Sequence, residues 1–149
     1  MKDLDFTNLQ HEDQFNVIEA DESDYLFVGT SQVMNAGDGL FTAIQIYKDE
    51  LLATYQGEIL KLEEATARAT RKEDQYFIHL LNGDILDSKY SPCFARYAND
   101  ANGSAPSAFK NNTVIRLNEE GKVCLVATRN IKAGEEIFVD YGKSYWKKH

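Results

Sequence analysis

The chain has 149 residues, 43% of them hydrophobic, and a formal net charge of −8 from 24 acidic and 16 basic side chains, enough for one domain with a real core. No apolar run approaches the ~20 residues of a membrane span, and the acidic start lacks the apolar stretch of a secretory signal, so the product is expected inside the cell, in nucleus or cytoplasm. The acidic balance excludes a general nucleic-acid binder, whose affinity comes from Lys and Arg on phosphate; it suits a cationic partner and equally serves plain solubility.

Residues 1–22 are acidic and weakly patterned and read as an N-terminal extension, with Phe15, Val17 and Ile18 to order it in part. Residues 23–149 read as the domain proper. Strand-like runs follow at 25–28, 40–46, 51–55 and 75–81. Asn82-Gly83-Asp84, just before Ile85, is a hairpin turn signal. Residues 62–72 read as the one helix: Ala and Glu are frequent there, and Leu62, Ala65 and Ala69 recur at helical spacing. Two more strands, 113–117 and 122–128, flank the turn Asn118-Glu-Glu-Gly121. The turn Lys132-Ala-Gly-Glu135 then leads into a terminal apolar strand. The sum is a mainly β fold of many short strands. Its two long polar loops, 29–39 and 99–112, are of the kind that carry function on rigid scaffolds.

Three segments carry chemistry. Gly37-Asp38-Gly39 marks either a tight turn or a loop whose bare backbone approaches a ligand; it lacks the third glycine and helix start of a dinucleotide fingerprint. Arg96-Tyr97-Ala98-Asn99-Asp100 places aromatic, amide and acid groups at the mouth of a loop. An amide both donates and accepts, which suits an amino-acid moiety and suits an Asx-turn equally well. Ala133-Gly-Glu-Glu-Ile-Phe-Val-Asp-Tyr-Gly142 ends an alternating strand on a tyrosine beside a glycine, where a bland turn is usual. Tyr55, with Gly57 two residues on, repeats that pairing. Cys93 and Cys124 lie far apart, and His11, His79 and His149 form no pair at ligand spacing, so no structural metal is expected. Both thiols read as buried and free.

In this order the segments resemble the SET-domain protein lysine methyltransferases, over roughly residues 25–146. Gly37-Asp38-Gly39-Leu40-Phe41 is similar to the family's Gly-x-Gly-Leu/Val-Phe loop, and Tyr55-Gln56-Gly57-Glu58 to its Tyr-x-Gly-Glu segment. The runs from Gln75 and from Ile85 look like the paired strands before its signature loop. Arg96-Tyr97-Ala98-Asn99 resembles Arg-Phe-x-Asn-His-Ser, with Asp100 and Ala101 in place of the last two. Gly134 to Tyr141 matches Gly-Glu-Glu-Leu-x-x-Asp-Tyr, and Tyr145-Trp146 its aromatic tail.

The resemblance implies several small β-sheets, one or two short helices and a C-terminal pseudoknot. It implies S-adenosylmethionine as cofactor, held by Gly37, Asp38, Gly39, Tyr97, Asn99 and Asp100, with Trp146 covering the adenine or closing the channel. Tyr141 would be catalytic, aided by Tyr55. Tyr55, Val139 and Tyr141 would line the channel for a lysine of a histone tail or another basic protein. Val139, having no hydroxyl, is expected not to confine transfer to one methyl group. The alternative is a non-catalytic SET-fold module that binds protein partners, with Asp100 as its mark. No metal, no membrane and no direct nucleic-acid contact are expected, from the scattered Cys and His, the lack of an apolar span and the acidic charge.

Overall fold

The computed structural model describes residues 16–79, 84–91, 93–102 and 108–140. Tyr141, Trp146 and the first two residues of the 82–84 turn lie outside these. Eleven described strands form three small sheets: β1 (Asn16–Val17), β2 (Leu26–Thr30), β3 (Asp38–Thr42), β4 (Glu50–Thr54), β5 (Glu58–Leu60), β6 (Phe77–His79), β7 (Ile85–Asp87), β8 (Thr113–Leu117), β9 (Val123–Ala127), β10 (Glu136–Ile137) and β11 (Val139–Asp140). The orders are β1-β4-β9-β8-β11, β10-β3-β2 and β5-β7-β6. Two helices, α1 (Glu22–Tyr25) and α2 (Leu62–Thr70), and a 3-10 turn at Ala95–Tyr97 complete the described elements.

The hairpin of β8 and β9 runs in unbroken antiparallel register from Thr113↔Ala127 to Leu117↔Val123. Its β-branched and leucine side chains fill the centre of the core with Leu40, Ile46, Leu52 and Ile131, as such residues do on a pleated surface, and every residue of β9 is buried. α2 has acids Glu63 and Glu64 in its first turn and Arg68 in its last, matching the helix dipole. Arg68 reaches Glu64 at 3.0 Å, Glu58 at 3.2 Å and the fully buried Asp87 at 2.7 Å, tying the helix to β5 and β7.

Four departures from the sequence pattern have identifiable causes. The helix stops at residue 70 because Lys72 turns left-handed (φ 60°), with Lys72 N–H on Ala69 O and Glu73 N–H on Arg68 O, a Schellman closure without glycine. Residue 25 ends a helical turn instead of starting a strand, because the Tyr25 hydroxyl donates to Leu52 O at 2.7 Å. The strand expected at 40–46 ends at Thr42, whose hydroxyl both accepts from Ile44 N–H and donates to Ile44 O; a local side-chain bond of this kind competes with the ladder. Ile46 instead makes an isolated bridge to Ile131. The terminal strand is broken at Phe138 into β10 and β11, which belong to different sheets: Ile137 pairs with Leu40 and Val139 with Thr113.

Candidate active site

The break at Phe138 brings the predicted segments together. Between its two short strands, the Phe138 carbonyl accepts from Asn112 N–H, Thr113 N–H and the Thr113 hydroxyl. Phe138 N–H donates to Asn112 Oδ1 at 2.8 Å, and Asn112 Nδ2 donates to Glu136 O at 3.0 Å. On the other side Phe138 bridges Asn99, and Val139 N–H donates to Asn99 O at 2.8 Å. Both ends of the 99–112 connection therefore grip one stretch of chain, which is the arrangement of a pseudoknot.

The glycine loop joins the same place. Asn99 Nδ2 donates to Asp38 O at 2.8 Å. Glu136, only 2% exposed, accepts from the Ser31 hydroxyl and Gln32 N–H, both at 2.7 Å. Gly39 is obligatory here, since a Cβ would collide with Glu136 Oε2 and come within 3.1 Å of Ser31 Cα. Gly37 is different: its φ is 73° and open space surrounds the place a Cβ would take. Gly37, Asp38, Gly39 and Asn99 thus stand together, with Gly37 and Asp38 exposed and Gly39 buried beneath them.

A second group lies around a cavity of about 750 Å³, within the usual size of a ligand site. Its wall includes Glu22, Gln56, Gly57, Cys93, Phe94 and Tyr97. Gly57 is needed because a Cβ would collide with the Asp87 backbone carbonyl. The Arg96 guanidinium stacks over the rings of Tyr97 (4.8 Å) and Tyr76 (5.2 Å). It donates to the carbonyls of Ser88 and Lys89 and to the Tyr97 hydroxyl. Tyr97 is held as cavity wall. Tyr55 and Val139 share one buried cluster, Val139 with no exposed surface.

Asp100 turns inward, 6% exposed. Its Oδ1 accepts from Asn102 N–H and Asn111 Nδ2, while Asn111 Oδ1 accepts from Ala101 N–H. This clasp closes the two described ends of the loop on one another. Asn112 and Glu136 carry the junction; both fall in segments that resemble the family's motifs, Asn112 at the Asn-x-x strand entry and Glu136 within Gly134 to Tyr141, but neither was expected to have this role. The available signal was a polar residue on each side of an apolar strand, since a carboxylate or amide buried at such a point must have partners. Cys93 and Cys124 are both free and buried, and burial pushes the Cys124 thiol up to about 12. Among the described residues no three His, Cys, Asp or Glu lie close enough to hold a metal ion, and no helix is long and apolar enough to cross a membrane.

Burial raises the Glu22 carboxyl above its usual range, more than the Thr54 N–H donated to it pulls the value down. The folded chain therefore holds this proton more tightly than the unfolded one. Stability falls as pH rises from the unfolded value of ~4.3 through the raised folded value. Glu22→Gln, which mimics the protonated form, should raise the melting temperature near neutrality and leave it unchanged at about pH 3.5, well below ~4.3. Melts at the two pH values measure this; an equal shift at both would remove the charge as the cause.

Comparison with known proteins agrees with this geometry. The SET domain family model matches residues 37–142, the span from the glycine loop to just beyond β11. The chain is 30% identical over 128 residues to histone-lysine N-methyltransferase EZH2 of Chaetomium thermophilum, covering 79% of this chain and 8% of that protein. It is 32% identical over 114 residues to histone-lysine N-methyltransferase SUV39H2 of Xenopus tropicalis, covering 70% of this chain and 27% of that one. A structure of ctPRC2 in an autoinhibited conformation bound to S-adenosylmethionine superposes with a TM-score of 0.67 at 29% identity, over 79% of this chain and 15% of that chain. The chain thus spans well under a third of the length of these relatives. Its glycine loop, its asparagine and its sheet-switching C-terminal segment all fall inside the matched region, and on that agreement the chain belongs to the SET-domain family.

Proposed function

We propose that this chain is an S-adenosylmethionine-dependent protein lysine N-methyltransferase, acting inside the cell on a lysine of a histone tail or another basic protein. The observation that carries the reading is the convergence of the 37–39 loop, Asn99 and residues 136–140, beside a cavity bounded by the segment that follows Tyr55. A cofactor with an amino-acid end fits what is there: open backbone at Gly37, the exposed Asp38, and Asn99, whose Oδ1 accepts no hydrogen bond among the described residues. S-adenosylmethionine bound there would supply a methyl group on a sulfonium, which the neutral lysine amine could take in line, with the uncharged thioether as leaving group and no covalent enzyme intermediate.

The residues of the chain would do the rest. A lysine in water, with a pKa near ~10.4, is almost wholly an unreactive ammonium at neutral pH. A channel walled by buried groups such as Tyr55 and Val139 disfavours that charge and so frees the lone pair. Holding the amine in line is worth up to roughly 7–11 kcal/mol in ideal cases. Val139 brings no hydroxyl to restrict rotation of a methylated amine. Peptides carried through many turnovers should therefore show more than one methyl group by mass spectrometry, and a product halted at one would take that role from Val139.

Asn99→Ala should raise the Kd and KM for the cofactor with little change in kcat at saturation, because uniform binding appears in KM first. Calorimetry with the folded variant checks this, and an unaltered Kd refutes it. The proposal as a whole is tested by incubating the chain with histones and methyl-labelled cofactor. A second reading, a SET-fold module that binds proteins without catalysis, draws on Asp100, which stands where the family has histidine and is turned into its own loop. Thermal shift separates the two: cofactor at 100 times its Kd adds about 2.7 kcal/mol to the folded state, and a chain that has lost the site gains nothing.

A further inference from the structure

Glu22 lies outside the matched region of residues 37–142, yet it forms part of the cavity wall. We propose that its carboxylate receives a second cationic side chain of the substrate, an Arg or Lys within a few residues of the target lysine, and so selects which lysines are methylated. The inference rests on the methyltransferase reading and deepens it.

Glu22 is held in place from both sides. It opens α1, whose far end is fixed by the Tyr25 hydroxyl on Leu52 O. Its Oε2 accepts Thr54 N–H at 3.1 Å. Its Oε1 takes no hydrogen bond, and the carboxylate no ion pair, among the described residues. Burial has stripped part of its water, and a carboxylate desolvated without a cation is destabilising. The cation on the same wall, Arg96, is already committed through both terminal nitrogens. Gln56 and Ser91, also on the wall, carry no charge and offer no competing ion pair.

A guanidinium or ammonium entering this cavity meets one fixed, half-dehydrated negative charge. The bond it makes there is charge-assisted and partly sheltered from water, hence stronger than a fully exposed pair. The rings of Phe94 and Tyr97 on the same wall provide faces for its stem and its charge. The net charge of −8 draws basic segments toward the chain. Thr54, which orients Glu22, immediately precedes Tyr55 of the proposed lysine channel. At roughly 3.3–3.6 Å per extended residue, a side chain one to three positions from the target lysine is within reach of both.

The test uses the full chain, S-adenosylmethionine and peptides with one lysine in a Gly/Ser/Ala background. A single Arg is walked through three positions on either side, and each peptide is paired with one carrying citrulline, which keeps the shape and loses the charge. At one position the wild type should show a KM for Arg about tenfold below that for citrulline, with kcat alike. In Glu22→Gln, which keeps an acceptor for Thr54 N–H, the ratio should fall to near one. Equal KM values for Arg and citrulline at every position overturn the proposal, as does an Arg preference that survives in Glu22→Gln. Absence of transfer to any peptide by the folded wild type overturns the methyltransferase reading, and this inference with it.

Discussion

Tyr141→Phe should lower kcat/KM for methyl transfer by about 10²–10³-fold, the usual effect of removing one positioned polar group at a reacting centre. Stability should change by less than about 1.5 kcal/mol, since the ring and nearly all its volume remain. The residue follows β11 directly in sequence, and β11 is fixed through Val139 by its pairing with Thr113 and its N–H on Asn99 O. In the proposed reaction the Tyr141 hydroxyl oxygen offers lone pairs to an amine that gains positive charge as it is alkylated. Phenylalanine has nothing to offer there. Steady-state kinetics on the folded variant decide the matter, and undiminished turnover would take Tyr141 out of the mechanism.

Asn112→Ala should destabilise the fold by about 3 kcal/mol. The side chain is 3% exposed and serves two buried backbone groups, Phe138 N–H and Glu136 O. Alanine leaves both without a partner, and each such group costs roughly 1–3 kcal/mol. The backbone bonds of residue 112 to Phe138 O and from Thr128 N–H survive the change, so the register of β8 should hold. Asn112→Asp is the sharper companion. It keeps the acceptor for Phe138 but sets a carboxylate oxygen against the Glu136 carbonyl, so it should be at least as harmful near neutral pH. Urea unfolding reads both; a loss under about 1 kcal/mol for alanine would mean that water replaces the amide.

Where a pattern was local, the sequence was a good guide. Residues 113–117 alternate and are rich in β-branched side chains, and they form β8 with the same bounds. α2 begins at the expected residue 62. The glycine loop, Asn99 and the 134–141 motif could be set side by side only through the family resemblance, because they approach one another through contacts far apart in the chain. What stayed hidden was decided by single long-range bonds. Nothing near Tyr25 announces that its hydroxyl will find Leu52, and this bond turns an expected strand into a helical turn. Alternation in 136–140 reads as one strand. Its division between two sheets is dictated by Asn112 and Thr113, which lie outside the window in which periodicity is visible. Glu22 was hidden for the same reason: it sits in an acidic stretch that reads as solvated charge.

The sheet-switching segment also bears on the order in which the molecule is made. Ile137 closes onto Leu40 across most of the chain, and until it does, β3 lacks one of its two neighbours and Asn112 has no Phe138 to hold. Such closures lose entropy before any contact rewards them, which makes folding slow and late. A nascent chain that has emerged only to about residue 130 can form the β8–β9 hairpin and α2, but it cannot fix the loop that Asn99 and Glu136 hold. The usual advantage of folding from the N-terminus during synthesis is therefore denied to this architecture. Its first half is released with a tacky unfinished edge, and chaperone occupancy should fall only once residues 136–140 have cleared the ribosome.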